Sequence, residues 1–326
     1  MKVHFYGKTD VGVVRTNNED SFGAFALPGE GYLFVVADGL GGHLAGEVAS
    51  STAVQKLKEY LSQAPSGDLR EFLDSVYRHL NREIYTLGQS NPSRKGMGTT
   101  LTALYIKDNQ AYIAHVGDSR VYRITSGGIE LLTQDQSFVE KLVSNGLLSQ
   151  EEAKKHPRKN VLLQMIGMKK DVEPQIIGPF PVREGDKFLL CTDGLSNLVM
   201  DREIYEIISR LPLINAVEFL VEAAKKRGGP DNITAVAVAI GEVKLKITPV
   251  KNPPVKTDST RELPFLKRRG DKRKKRVILV AVVLALLLLL SLGYYLFTLS
   301  KKGEGPGKPQ TPSSTLQEKG NGGNGP

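Results

Sequence analysis

Residues 35–47 read VVADGLGGHLAGE: an apolar run closes on Asp38, and Gly39 follows at once. An aspartate at a strand's end is an ordinary turn former, so one such site decides nothing. The pattern returns in HVGDSR with Asp118, in LLCTDG with Asp193, and in GGPDN with Asp231 and Asn232. A further acidic site, NNED, carries Glu19 and Asp20 shortly after Arg15. If the strands share a sheet edge, these carboxylates converge, and an uncompensated cluster in a poorly solvated cleft repels itself. A divalent cation resolves the conflict, and hard carboxylate oxygens suit Mg²⁺ or Mn²⁺. Glycine after Asp38 lets a backbone carbonyl and water approach a metal closely.

Outward from these motifs, apolar runs at 32–37, 99–106, 110–116, 120–124, 187–191 and 233–240 predict strands. Helices are predicted over 46–61, 68–87, 137–145 and 216–226. Several strands arrive as hairpins with no helix between them. That favours an α+β arrangement of antiparallel sheets covered by helices over a doubly wound parallel sheet.

The chain has 326 residues, with 44 Lys and Arg against 35 Asp and Glu, a formal charge of +9. The excess is local. Residues 1–243 carry 27 basic and 30 acidic side chains, whereas residues 244–276 carry 13 and 3. The large N-terminal part is therefore mildly acidic and lacks the basic footprint of a nucleic-acid binder. A single cysteine excludes a disulfide framework and a Cys-based zinc site. Cys191 lies in an apolar strand and reads as a buried structural thiol, because the TDGLSN that follows offers no Arg to cradle phosphate. The glycines at 39–42 and 96–98 lead to no Lys-Ser/Thr pair, which argues against a nucleotide loop.

Residues 277–299, VILVAVVLALLLLLSLGYYLFTL, contain no charge. At ~1.5 Å per residue such a helix reaches ~35 Å, enough to cross a ~30 Å hydrocarbon core. Eight Lys and Arg stand in 267–276, against Lys301, Lys302 and Lys308 beyond the span. The positive-inside bias then predicts a single-pass membrane protein with its N-terminal part in the cytoplasm and its tail outside. The N-terminal MKVHFYGKTD has no apolar run, so no cleavable signal peptide is expected. The basic collar would meet anionic lipid. The expected organisation is a folded unit at 1–243, a Pro-containing linker and polybasic segment at 244–276, the span at 277–299 and a disordered Gly/Pro-rich tail at 300–326.

RTNNED (15–20), VVADGLGGHLAGE (35–47), GMGTTLTAL (96–104), HVGDSRVY (115–122), LLCTDGL (189–195) and GGPDNIT (228–234) stand in one order. In that order residues 1–240 resemble the metal-dependent type-2C Ser/Thr protein phosphatases, in their bacterial membrane-tethered branch. The resemblance implies a four-layer α-β-β-α sandwich of two antiparallel sheets flanked by helices, to which the C-terminal transmembrane helix is added. It also implies that Asp38 bridges two Mn²⁺ or Mg²⁺ ions, with the Gly39 carbonyl on the second and Asp193 and Asp231 completing the first site. Asp118 with Asp193 would hold a weaker third ion. Glu19 and Asp20 would hold waters or orient ligands, Arg15 would bind the substrate phosphate, and Asn232 would support Asp231. Water activated by two cations would attack phosphorus in line, with no covalent phosphoenzyme.

Some relatives place a His where this chain has Leu40, so that source of a leaving-group proton is absent; His43, three residues on, reads as structural. Gln136 stands where the family often shows His. Residues 137–168 correspond to a flap beside the active site. Substrates would be phosphoserine and phosphothreonine proteins, including a transmembrane Ser/Thr kinase whose action the enzyme opposes. The competing readings are a catalytically inactive membrane-bound phosphoprotein-binding module, against which the intact Asp38, Asp193 and Asp231 argue, and a metal-dependent phosphodiesterase.

Overall fold

In the computed structural model, residues 1–41, 44–63 and 67–241 are described. The expected linker, polybasic collar, span at 277–299 and tail lie outside the described residues, as does His43. Among the described residues no helix is long and apolar enough to cross a membrane.

The chain opens with strands β1 (Val3–Asp10), β2 (Asp20–Leu27) and β3 (Gly31–Leu40), followed by helices α1 (Ala45–Ser62) and α2 (Leu69–Gln89). A run of strands follows: β4 (Gly98–Thr99), β5 (Leu101–Lys107), β6 (Gln110–Val116), β7 (Arg120–Thr125) and β8 (Gly128–Leu131). Short helices α3 (Phe138–Ser144) and α4 (Gln150–Lys155) precede β9 (Gln175–Pro181) and β10 (Lys187–Cys191). The described part ends with α5 (Asp193–Ser196), α6 (Asp201–Arg210), α7 (Leu213–Lys226) and β11 (Ile233–Ile240).

Two antiparallel sheets result. One has the order β1-β11-β10-β7-β8; the other has β2-β3-β5-β6-β9, with β4 paired to the end of β3. The period of two along each strand sorts side chains between layers. On β3, Leu33, Val35 and Ala37 face a core shared with α1 and α2, whereas Phe34 and Val36 enter the core between the sheets. On β11, Ile233, Ala235, Ala237 and Ala239 join Leu220 and Val221 of α7, while Val236, Val238 and Ile240 meet Phe34 and Phe188 between the sheets. Both faces of β11 are covered, and all eight of its residues are buried. Three cores thus separate four layers, helices on two sheets on helices.

Antiparallel pairing also decides where the acidic motifs go. β3 ends where β2 begins, and Asp38 stands opposite Asp20 in the ladder. β10 ends at Cys191, level with Arg120 at the start of β7 and with Ala235 near the start of β11. Strand ends that are far apart in sequence therefore gather at one end of the sandwich.

The six predicted strands are present, with one difference. The run 99–106 is broken at Thr100, because β4 pairs with Gly39 and Leu40 while β5 pairs with 32–36. Strands β1, β2, β8 and β9 and helices α4, α5 and α6 were not anticipated. β1 lies at a sheet edge with no residue fully buried, and β9 carries Pro179 and Pro181, which obscure a strand signal. α6 did carry a signal, since Ile204, Ile207 and Ile208 have helical spacing and are all buried.

Candidate active site

The chain around Asp38 is held by its backbone. Its N–H donates to the Thr100 hydroxyl at 2.8 Å, its carbonyl accepts from Thr100 N–H at 2.8 Å, and the Thr99 hydroxyl donates to the same carbonyl at 2.9 Å. The break between β4 and β5 is what delivers these groups. The carboxylate is left to interact with the neighbouring aspartates, Asp193 among them. Burial pushes its pKa well above the carboxylate range, and the charges of Asp20, Asp193, Asp118 and Asp231 push it further.

Asp193 stands at the first position of α5, just past the end of β10. Asn197 donates to its Oδ2 at 3.0 Å. Burial and then the charge of Asp231 raise its pKa, against hydrogen bonds from the Asp38 carboxyl and Asn197. Asp118, in the turn from β6 to β7, is raised by burial and by Asp193. Beside it Arg120 is occupied by Asp135 through two hydrogen bonds of 2.9 and 2.7 Å, so this arginine is a fixed part of the wall. Asp231 accepts from Arg15 Nη2 at 3.0 Å, with half of the Arg15 side chain exposed to the cleft.

Asp20 is buried and its Oδ2 accepts from Thr192 at 2.9 Å and from Thr234 at 2.6 Å. Burial raises its pKa to about 7, although the two hydroxyls pull it down. The Glu19 carboxyl is raised first by burial, with Arg15 opposing. Its backbone matters as much: the Glu19 carbonyl accepts from Gly39 N–H at 3.1 Å and from the Ser50 hydroxyl at 2.6 Å.

Asn232 bonds to Asp231 and to the β1–β2 loop through different groups. Only its backbone N–H reaches Asp231, at 2.9 Å. Its side chain donates to the carbonyls of Val11 and Asn17 and accepts from Glu19 N–H at 2.8 Å. It therefore pins the loop that carries Arg15 and Glu19 to the start of β11. Sequence reading passed over Thr100, Thr192 and Thr234; each stands within a quoted motif, but a hydroxyl beside an aspartate carries no signal of its own.

The lining is chemically suited to a hard cation. Asp20 Oδ1 and Asp193 Oδ1 are buried acceptors with no hydrogen-bond donor. A buried carboxylate oxygen in that state calls for a proton or a cation. Among the described residues, His115 is engaged by the Thr102 hydroxyl and the Gln134 carbonyl, and Cys191 belongs to the helix-side core with its thiol pushed up to about 12 by burial. At Gly39 a Cβ would lie 2.3 Å from the Gly46 carbonyl oxygen, so the backbone packs closer here than any side chain permits. Among the described residues no group of three or more His, Cys, Asp or Glu side chains already stands as a metal cage. The carboxylates nevertheless raise one another's pKa, so they lie within one repulsive field.

Gln136, in the position flagged as unusual, accepts from Gly117 N–H at 3.0 Å and so braces the turn bearing Asp118. Leu40 is half exposed at the rim. The expected flap at 137–168 holds α3 and α4, each capped by a serine, Ser137 and Ser149. The isolated bridge Thr99↔Ile166 ties it to the body of the domain, and Ser137↔Leu162 pairs its two ends.

Comparison with known proteins agrees with this geometry. The family model for Protein phosphatase 2C matches residues 13–235. Over 238 residues the chain is 40% identical to protein phosphatase PhpP of Streptococcus pneumoniae, covering 72% of this chain and 96% of PhpP. It is 38% identical over 240 residues to serine/threonine protein phosphatase PstP of Mycobacterium tuberculosis, covering 74% of this chain and 45% of PstP, so it spans under half of that relative. The solved catalytic domain of PstP in complex with 2 manganese ions superimposes with a TM-score of 0.65 at 36% identity, over 74% of this chain and 99% of that one. The serine/threonine phosphatase of S. agalactiae does so with a TM-score of 0.70 at 36% identity, over 74% and 100%. With a family match over more than half its length, on the fold and the acidic cleft described above, the chain belongs to the protein phosphatase 2C family.

Proposed function

We propose that this chain is a metal-dependent protein-serine/threonine phosphatase that takes two Mn²⁺ or Mg²⁺ ions, with room for a weaker third. The observation that carries the reading is the gathering of Asp20, Asp38, Asp118, Asp193 and Asp231 within one another's electrostatic reach, with Asp20 Oδ1 and Asp193 Oδ1 buried and lacking donors. Family membership and the manganese in the PstP structure support the choice of chemistry. Divalent cations bound there supply Lewis-acid stabilisation of the phosphoryl group and a water of lowered pKa.

The protein's own part is positional. Asp38, Asp193 and Asp231, with the Gly39 carbonyl, are the proposed ligands, and Asp118 with Asp193 serves the third position. Thr99 and Thr100 hold the Asp38 backbone in register, while Thr192 and Thr234 hold Asp20. Arg15 gives one nitrogen to Asp231 and has its other donors available for phosphate oxygens, to which a planar guanidinium is matched.

Residues 1–243 are proposed as the catalytic domain, tethered through 244–276 to a membrane span at 277–299, with 300–326 outside the cell. The uncharged stretch and the lysines and arginines before it support that topology. A membrane-bound Ser/Thr kinase on the same side is the proposed counterpart.

The test is hydrolysis of a phosphothreonine peptide by the full chain in detergent, with Mn²⁺, Mg²⁺ or EDTA. Turnover is expected with either metal and none in EDTA. Turnover that survives EDTA sinks the metal mechanism, a preference for a phosphodiester supports the competing hydrolase, and binding without turnover supports an inactive module.

A further inference from the structure

The cleft at Asp118 and Asp193 does not end at the carboxylates. It occupies about 230 Å³ and shares Arg120, Asp135, Glu140, Asn197 and Lys154, the last paired with Glu151 at 2.9 Å, with a neighbouring groove of about 640 Å³. That groove runs between α4 of the flap and the α5–α6 connection, and exposes Leu131 and Met200 along its sides. On the other side of α3, Asp135 and Glu140 also line a third groove of about 670 Å³. The three together form a continuous trough that passes the metal end of the site, and each outer groove has the volume of an ordinary ligand site.

Two carboxylates line all three compartments, Asp135 and Glu140. Asp135 is saturated by the two hydrogen bonds from Arg120. Glu140 is not. Its backbone N–H is engaged by Ser137 Oγ at 3.2 Å, but among the described residues no hydrogen bond or ion pair reaches its half-buried carboxylate. A free anion at the junction of a peptide-sized trough, next to the reacting centre, discriminates between flanking charges on whatever lies in the trough.

We propose that Glu140 is a specificity-determining residue: the trough takes the polypeptide around the phosphorylated Ser or Thr, and Glu140 pairs with an Arg or Lys flanking it. This rests on the phosphatase reading above. The preference is for basic flanks and against acidic ones, because an acidic flank would face Glu140 across a partly desolvated groove. Leu131 and Met200 supply apolar contact that is indifferent to charge.

The experiment uses the full chain in detergent with Mn²⁺, two phosphothreonine peptides that differ only in carrying Arg or Glu on both flanks, and p-nitrophenyl phosphate, which has no flanks. Wild type is expected to favour the Arg peptide in kcat/KM by about fivefold, mainly through KM, as a partly exposed ion pair allows. That preference should shrink in 0.5 M salt. Glu140→Gln should abolish it and Glu140→Lys reverse it, with p-nitrophenyl phosphate turnover within twofold of wild type. Equal use of both peptides by wild type overturns the proposal. So does a parallel loss of p-nitrophenyl phosphate turnover in both variants, which would make Glu140 a support of the flap. If wild type hydrolyses none of the three substrates, the phosphatase reading itself fails. Hydrolysis without discrimination sinks only the role of Glu140.

Discussion

Asp38 is placed where an ionised carboxylate is least welcome without a counter-ion: partly desolvated, and within reach of the charges of four other aspartates. Asp38→Asn should therefore have two opposite effects. Without metal the variant should be more stable than wild type by about 1 kcal/mol or more, because a desolvated like charge has been removed. With Mn²⁺ it should lose both turnover and the rise in melting temperature that the metal confers on wild type. Calorimetry with and without Mn²⁺ reads both, and equal metal-induced shifts in the two proteins would exclude Asp38 as a ligand.

His115 shows the reverse titration. Burial pushes it down to about 4, and it is held neutral by donating Nε2–H to the Gln134 carbonyl and accepting at Nδ1 from the Thr102 hydroxyl. Between its unfolded value and pH 4 the unfolded chain binds a proton that the folded chain refuses. Stability from this group is thus complete above about pH 6.5 and is lost as pH falls towards 4, by about 3 kcal/mol in all. His115→Gln should remove one proton from the slope of stability against pH over that window, measured by denaturant unfolding in EDTA. An unchanged slope would show that His115 titrates normally.

Among the elements, the short helix α5 is the most tightly specified. Its Gly194 packs so closely on the start of β11 that a Cβ there would lie 1.9 Å from the Asn232 carbonyl oxygen, which is backbone and cannot swing away. Gly194→Ala must push α5 and Asp193 off β11. The expected cost is about 3 kcal/mol, together with weakened metal binding. The loop between β1 and β2 depends on Asn232 in a comparable way. Asn232→Ala removes three side-chain hydrogen bonds, and a loss of about 2–3 kcal/mol is expected, with KM rising as Arg15 loses its seat. A fall in stability with KM unchanged would separate the loop from substrate binding.

Element boundaries were legible wherever a local signal was strong. Asp68 and Ser137 stand at the expected starts of α2 and α3 and cap them through side-chain oxygens. Strands β6, β10 and β11 occupy the predicted residues because each is a dense apolar run. β2 was not legible: Ser21, Gly23 and Ala26 carry little strand preference, and pairing with β3 is what holds the segment extended. The division of 99–106 was likewise invisible, since it arises from two different pairings along one face of β3.

For the whole molecule, the proposed topology makes a plain prediction. The full chain should sediment with membranes, and protease added outside intact cells should trim only the tail after residue 299. Loss of the large domain under that treatment would reverse the orientation. The mildly acidic charge of residues 1–243 then belongs to the enzyme, and the basic excess at 244–276 to its attachment.

Sequence alone determined the candidate chemistry. Carboxylates after apolar runs, in a fixed order with their glycines, point to a hard divalent cation once their strands share a sheet edge, because an uncompensated cluster repels itself. It also determined where the charge lies and where a hydrophobic span is long enough to cross a bilayer. Only the tertiary structure decided which aspartates meet. Antiparallel pairing brings the end of β3 to the start of β2 and the end of β10 to the starts of β7 and β11, while a short turn leads from β6 in one sheet to β7 in the other. The same packing shows that threonine hydroxyls and Asn232 hold the site together, and that among the described residues Glu140 is left unpaired beside it. Those roles come from long-range contacts between segments up to some two hundred residues apart, and no local pattern encodes them.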